Sequence, residues 1–213
     1  MNLSTLFITA LLLGFSGALM PGPLLVVDIN ESYKQGAKVG PLLILGHGLL
    51  ELILVIGLTC GLGPILLKPL VKGSIAIVGG FVLLWMGGAM VINAWQHKIS
   101  LEIAAQGKPA RKSLLFAGAL VSVSNPYWIL WWATIGLAYI SIALQAGWVA
   151  LGVFLCGHFL ADLLWYSGVS WVIASGKEVF SDKIYRIVII VCGLFLIFLA
   201  FYFIWFGQYF LLN

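Results

Sequence analysis

Gly46-His47-Gly48-Leu49-Leu50-Glu51-Leu52 returns 111 positions later as Gly157-His158-Phe159-Leu160-Ala161-Asp162-Leu163. Each copy sets a histidine four residues before a carboxylate, inside an otherwise apolar run. Two further echoes keep the same order along the chain. Phe15-Ser16-Gly17-Ala18-Leu19 matches Phe116-Ala117-Gly118-Ala119-Leu120 at an offset of 101, and Ile77-Val78-Gly79-Gly80 matches Ile190-Val191-Cys192-Gly193 at 113. One apolar match would mean little; three in register indicate a duplication.

Outward from these copies, the chain divides into six apolar stretches, about 5–27, 39–62, 74–95, 113–137, 145–174 and 184–210. Each repeat holds three of them, in residues 1–100 and 113–213, with a polar cytoplasmic linker at 101–112. Three is odd, so the second half must enter a membrane in the opposite sense to the first. The expected fold is all-α and integral to a membrane, with six transmembrane helices in a 3+3 inverted-topology repeat. Secondary transporters use this plan, their two halves rocking about a site near the midplane. The first stretch has no basic leader, and Pro21-Gly22-Pro23 stands where a small-residue cleavage site would lie. It is therefore expected to be a retained span and not a signal peptide.

Composition supports the membrane assignment. The 213 residues are 62% hydrophobic and 8% charged, with a mean hydropathy of +1.12. Soluble domains carry about a quarter charged residues, so a water-exposed globule is excluded. Disorder, a coiled coil and a disulfide scaffold fail on the same figures. At about 20 residues per span there is no room for a catalytic domain outside the bilayer. Cys60, Cys156 and Cys192 form no CxxC pair and read as small apolar packing residues.

The net charge of +4 does not call for a nucleic-acid partner. The bases sit in short loops, where they set topology. Lys34, Lys38, Lys98, Lys108, Arg111, Lys112, Lys177, Lys183 and Arg186 follow the odd-numbered spans; only Lys68 and Lys72 lie on the other side. This bias puts the odd loops in the cytoplasm and both termini outside a multi-pass protein of the plasma (inner) membrane.

Breakers interrupt the first helix of each repeat, Pro21-Gly22-Pro23 in one and Asn125-Pro126 in the other. Proline removes a backbone donor and clashes with the preceding turn, so the first and fourth helices should be broken there. Freed backbone groups at membrane depth are tolerated only against protein or a wet cavity. Of seven acidic residues, only Glu51 and Asp162 fall near the centre of a span, each with its histidine one turn before it. Ionisable groups at this depth mark a pathway or relay by default. Three readings stay open: mutual satisfaction inside the bundle, a proton relay through Glu51 and Asp162, and a divalent-metal site of His47, Glu51, His158 and Asp162.

Other features are less specific. Trp128, Trp131 and Trp132, near Tyr127 and Tyr139, could stack on a substrate, although belt or core packing is the commoner role of such a run. Gly36-x-x-x-Gly40 and Gly79, Gly80, Gly87 and Gly88 suit close helix contact, and such faces would suit a homodimer. No nucleotide-binding loop or nucleophile elbow is present, so neither an enzyme nor an ATP-driven machine is expected. No cofactor is called for.

Pro21-Gly22-Pro23, the following Gly36, Gly40 and Gly46, the acid at Glu51, and Ser124-Asn125-Pro126 together resemble the signatures of the lysine exporter (LysE) superfamily, which includes homoserine/threonine exporters. The resemblance covers essentially the whole chain. It implies ion-coupled efflux of amino acids or related small solutes, with membrane lipid as the surroundings. It also implies that Pro21, Gly22, Pro23, Asn125, Pro126 and Tyr127 line the substrate pathway. In that family the second signature commonly continues with a lysine, where this chain has Tyr127. The histidines before the acids also exceed the family pattern. The resulting expectation is a proton-coupled exporter working by alternating access. A divalent-cation exporter using the His–carboxylate pairs is one rival. A membrane electron shuttle is another, and would need cysteines at matching repeat positions, which are absent.

Overall fold

Proline and glycine set where the helices stop. A computed structural model describes residues 2–66, 68–100, 114–176 and 181–212. Helix α1 (Leu3–Ala18) is capped by the Asn2 side chain, which accepts from the Thr5 amide. The chain then turns by 80° across residues 19–22 into α2 (Pro23–Gln35), with Pro23 in the first turn. Proline fits there because its missing donor would be unpaired anyway. Gly36, at φ 86°, ends α2 in a conformation that favours glycine.

Helix α3 (Val39–Gly57) runs through a π-turn (Leu58–Leu62) into the short α4 (Gly63–Leu66). Helix α5 (Pro69–Trp95) ends the first half. In the second half, α6 (Leu114–Val123) stops before Asn125, whose side chain caps α7 (Pro126–Trp131) through the Tyr127 amide. A π-turn (Trp132–Gly136) leads on to α8 (Leu137–Gln145), followed by α9 (Trp148–Ser175) and α10 (Asp182–Leu212).

Among the described residues, five stretches are long and apolar enough to cross a membrane: Val39–Leu66, Pro69–Trp95, Pro126–Gln145, Trp148–Ser175 and Asp182–Leu211. The bent α1–α2 pair makes a sixth if it serves as one span. Ile53, Trp85, Val149, Phe198 and Trp205 point outward from the bundle, an arrangement suited to lipid. The first expected stretch, 5–27, is thus two helices, and its second arm carries on to Gln35. The fourth is split as the Asn125-Pro126 pair required, but its later part extends to Gln145. The expected linker at 101–112 lies outside the described residues.

Helix α5 packs along α10, α1 along α9, and α3 along α6, while α2 wedges between α9, α3 and α6. Small residues make these approaches close. A Cβ built on Gly46 would overlap the Leu115 carbonyl, and one on Gly118 would overlap the Leu43 carbonyl, so α3 and α6 meet backbone to backbone. This crossing carries His47 and Ser122 to the same depth.

Candidate functional site

The i, i+4 spacing puts His47 and Glu51 on the inner face of α3, and His158 and Asp162 on that of α9. All four are buried and meet at one point. His47 Nε2 lies 2.9 Å from Glu51 Oε1, and His158 Nε2 lies 3.1 Å from the same oxygen. The two histidine–acid pairs are one cluster, each helix supplying both residue types.

Two tryptophans complete the shell around Glu51. The Trp132 indole N–H donates to Oε1 at 2.9 Å and that of Trp128 at 3.2 Å. An indole nitrogen can only donate, so Oε1 is held as an acceptor. His47 Nδ1 lies 2.6 Å from Ser122 Oγ, whose own proton goes to the Gly118 carbonyl at 2.7 Å. The network therefore assigns the Nδ1 proton to His47, which donates to Ser122.

The second acid is treated differently. Asp162 Oδ2 lies 3.5 Å from His158 Nε2 and 3.7 Å from His47 Nε2, and it has no hydrogen-bond partner. His158 Nδ1 is also buried without one. Orphaned polar atoms are costly in a low-dielectric core and mark a place for a proton, a water or a ligand. The ligand atoms of His47, Glu51 and Asp162 lie within 4.8 Å of one another, close enough to be tested against a metal ion.

These groups line a cavity with about 60 Å³ open to the centres of water-sized spheres. One water needs about 10–15 Å³ by that measure, so several fit. Its wall brings the two breakers together: Gly22 lies on one side, with Asn125 and Tyr127 on the other. A methyl on Gly22 would sit 3.7 Å from Asn125 Nδ2, and the Tyr127 hydroxyl reaches the Ser16 carbonyl at 3.5 Å. Pro21, Pro23 and Pro126 are not in the cavity wall; Pro126 packs instead against Gly79 of α5. The three cysteines are free, with Cys60 and Cys156 exposed and Cys192 buried.

Sequence reasoning missed Trp128, Trp132 and Ser122 as members of the site. The two tryptophans share the i, i+4 spacing of the histidine–acid pairs, the one signal that could have singled them out. Trp132→Phe keeps most of the ring but removes the donor to Glu51. It is expected to lower stability by about 1–3 kcal/mol, measured by thermal unfolding in detergent. Trp128→Phe should cost less, since that residue is only half-buried.

The LysE type translocator family model matches residues 15–207. A candidate amino acid efflux protein of Bacillus subtilis (strain 168), YcgF, is 24% identical over 199 residues, covering 93% of this chain and 94% of that protein. The chemotactic transduction protein ChpE of Pseudomonas aeruginosa is 29% identical over 163 residues, covering 75% of this chain and 78% of its own length. No solved structure matches the chain.

Proposed function

The chain belongs to the LysE type translocator family, and from that premise we propose that it exports an amino acid or a related small solute across the plasma membrane in exchange for protons. The observation that carries this reading is the asymmetry of the buried acids. Four nitrogens converge on Glu51 Oε1, while Asp162 Oδ2 beside it faces the same histidines with no hydrogen-bond partner. A proton, or the ammonium group of a substrate, that reaches Asp162 meets an acceptor already desolvated. The cluster would then be the coupling site, with Glu51 and Asp162 exchanging the proton and His47 and His158 between them. Gly22, Asn125 and Tyr127 would form the substrate wall, with Pro21, Pro23 and Pro126 fixing the breaks that shape it.

Alternating access needs two like halves, and the packing supports residues 1–100 and 113–213 as those halves. If α1 corresponds to α6 and α3 to α9, the pair α1–α9 exchanges with α6–α3, and α5 packs on its own counterpart α10. That is the pattern of an inverted repeat with its axis between α5 and α10.

Divalent-metal cargo is the rival reading, favoured by the spacing of His47, Glu51 and Asp162. The two indole donors on Glu51 Oε1 weigh against it, because a cation there would meet N–H groups that cannot turn away. The test is efflux from proteoliposomes loaded with a panel of radiolabelled L-amino acids, under an imposed pH gradient. At least one should leave faster with the gradient than after an ionophore collapses it. If none does, and purified protein retains zinc or manganese by elemental analysis, the metal reading replaces this one.

A further inference from the structure

A third buried carboxyl lies outside the central cluster. Asp28, midway along α2, has no exposed surface. Its Oδ1 accepts from Ser170 Oγ of α9 at 2.5 Å and from Ser32 Oγ of its own helix at 3.0 Å, and the two hydroxyls lie 2.7 Å apart. The Gly40 amide at the start of α3 donates to Ser170 Oγ at 2.6 Å. This knot ties α2, α3 and α9 together at the end of the bundle that holds Lys34 and Lys38. Oxygen separations this short are those of hydrogen bonds and not of ligands spread around a cation.

The other oxygen, Asp28 Oδ2, is buried with no partner. Among the described residues, no cation lies within ion-pair distance of Asp28. On its own helix, Glu31 is engaged by Lys34 and Gln35. From α9, Ser170 bonds to Asp28, with Tyr166 and Asp162 one and two turns back along that helix. Tyr185 and Cys192 of α10 pack in the apolar cluster that holds Ile29, and Tyr185 is bonded to Asn30. The ionisable residues of α3, His47 and Glu51, belong to the central cluster, and α6 has none. An unpaired carboxylate in such surroundings is costly, and a proton relieves that cost.

Asp28 is also connected to the centre. His158, Asp162, Tyr166 and Ser170 follow one another at i+4 along α9, and all four are buried. At 1.5 Å per residue, Asp162 and Ser170 are about 12 Å apart along the helix. Tyr166 lies between them on the same helix face and lines the central cavity.

We propose that Asp28, held by Ser32 and Ser170, is a second proton-binding station that exchanges a proton with Asp162 through the Tyr166 hydroxyl. The O–H bond of a protonated Asp162 breaks as its proton passes to the tyrosine oxygen. The tyrosine's own proton forms the new O–H bond at Asp28, leaving Tyr166 unchanged. The basic end of the bundle is the expected cytoplasmic side, so Asp28 is where a coupling proton leaves. This rests on the proton-coupled reading of the central cluster.

Infrared difference spectra between acid and alkaline buffer, on the full chain in liposomes without substrate, test it. Wild type should show a protonated-carboxyl band that Asp28→Asn removes and Ser170→Ala displaces. Tyr166→Phe should slow proton uptake after a pH jump on the order of 100-fold. If Asp28→Asn leaves every wild-type carboxyl band in place, the proposal is overturned. If that variant does not fold, an unmoved spectrum in Ser170→Ala overturns it equally. Amino acid efflux by Glu51→Gln and Asp162→Asn is measured in parallel. Undiminished gradient-driven efflux there sinks the central reading whatever the Asp28 band does, whereas lost efflux with an unchanged Asp28→Asn spectrum sinks only this one.

Discussion

Glu51→Gln should abolish gradient-driven efflux, lowering the initial rate on the order of 100-fold or more. The amide oxygen can still accept from Trp128 and Trp132, so the cavity wall should keep its shape. What disappears is the negative charge on which His47 and His158 both converge, at 2.9 and 3.1 Å. Removing one partner of a buried charge network leaves the others uncompensated, at a cost of about 3–5 kcal/mol. The histidines would then turn to Asp162, locking the acid beside them, whose Oδ2 had no partner. Counterflow exchange, which moves no net proton, separates the two consequences: it should survive better than net efflux. Equal loss of both would mean that Glu51 holds the substrate and does not handle the proton.

Gly118→Val and Gly46→Val should have the largest structural effect. Helices α3 and α6 meet with no side chain between them, each glycine facing the other helix's backbone carbonyl, at Leu43 and Leu115. Backbone cannot swing aside as a flexible side chain can. The helices would have to separate, and overpacking of this kind costs about 1–3 kcal/mol for each extra group, occasionally more. Separation would also draw Ser122 away from His47, undoing the contact that fixes the imidazole. Even Gly118→Ala should reduce the yield of monodisperse protein by size-exclusion chromatography, and valine should reduce it further. Gly88→Ala, where a Cβ meets nothing within 4 Å, is the matched control.

The histidine–acid pairs and the two breakers were legible in the sequence because each violates its surroundings: a charge or a proline in an apolar run. That the pairs converge on one oxygen was not legible, since i, i+4 spacing fixes a helix face but not which faces meet. Trp128 and Trp132 stayed hidden for the opposite reason: an aromatic residue agrees with a membrane helix, so nothing flagged an indole donor aimed at Glu51. Asp28 is not legible because the first apolar run ends near residue 27 and the polar run after it reads as loop. Proline ends one helix but also suits the first turn of the next, and Pro23 does the latter. The run Asp28-Ile29-Asn30-Glu31-Ser32 is therefore helical and packed inside, with Asp28 Oδ1 held by Ser32 and by Ser170, a neighbour only the fold could supply.

Proton movement during transport bears most directly on the central claim. Proteoliposomes loaded with the transported amino acid and a trapped pH-sensitive dye, with no pH gradient imposed at the start, would follow both species at once. Outward substrate flow should be matched by inward proton flow that acidifies the lumen, and Glu51→Gln and Asp162→Asn should suppress both together. Substrate efflux at full rate with no change in lumenal pH would contradict proton-coupled export through this cluster.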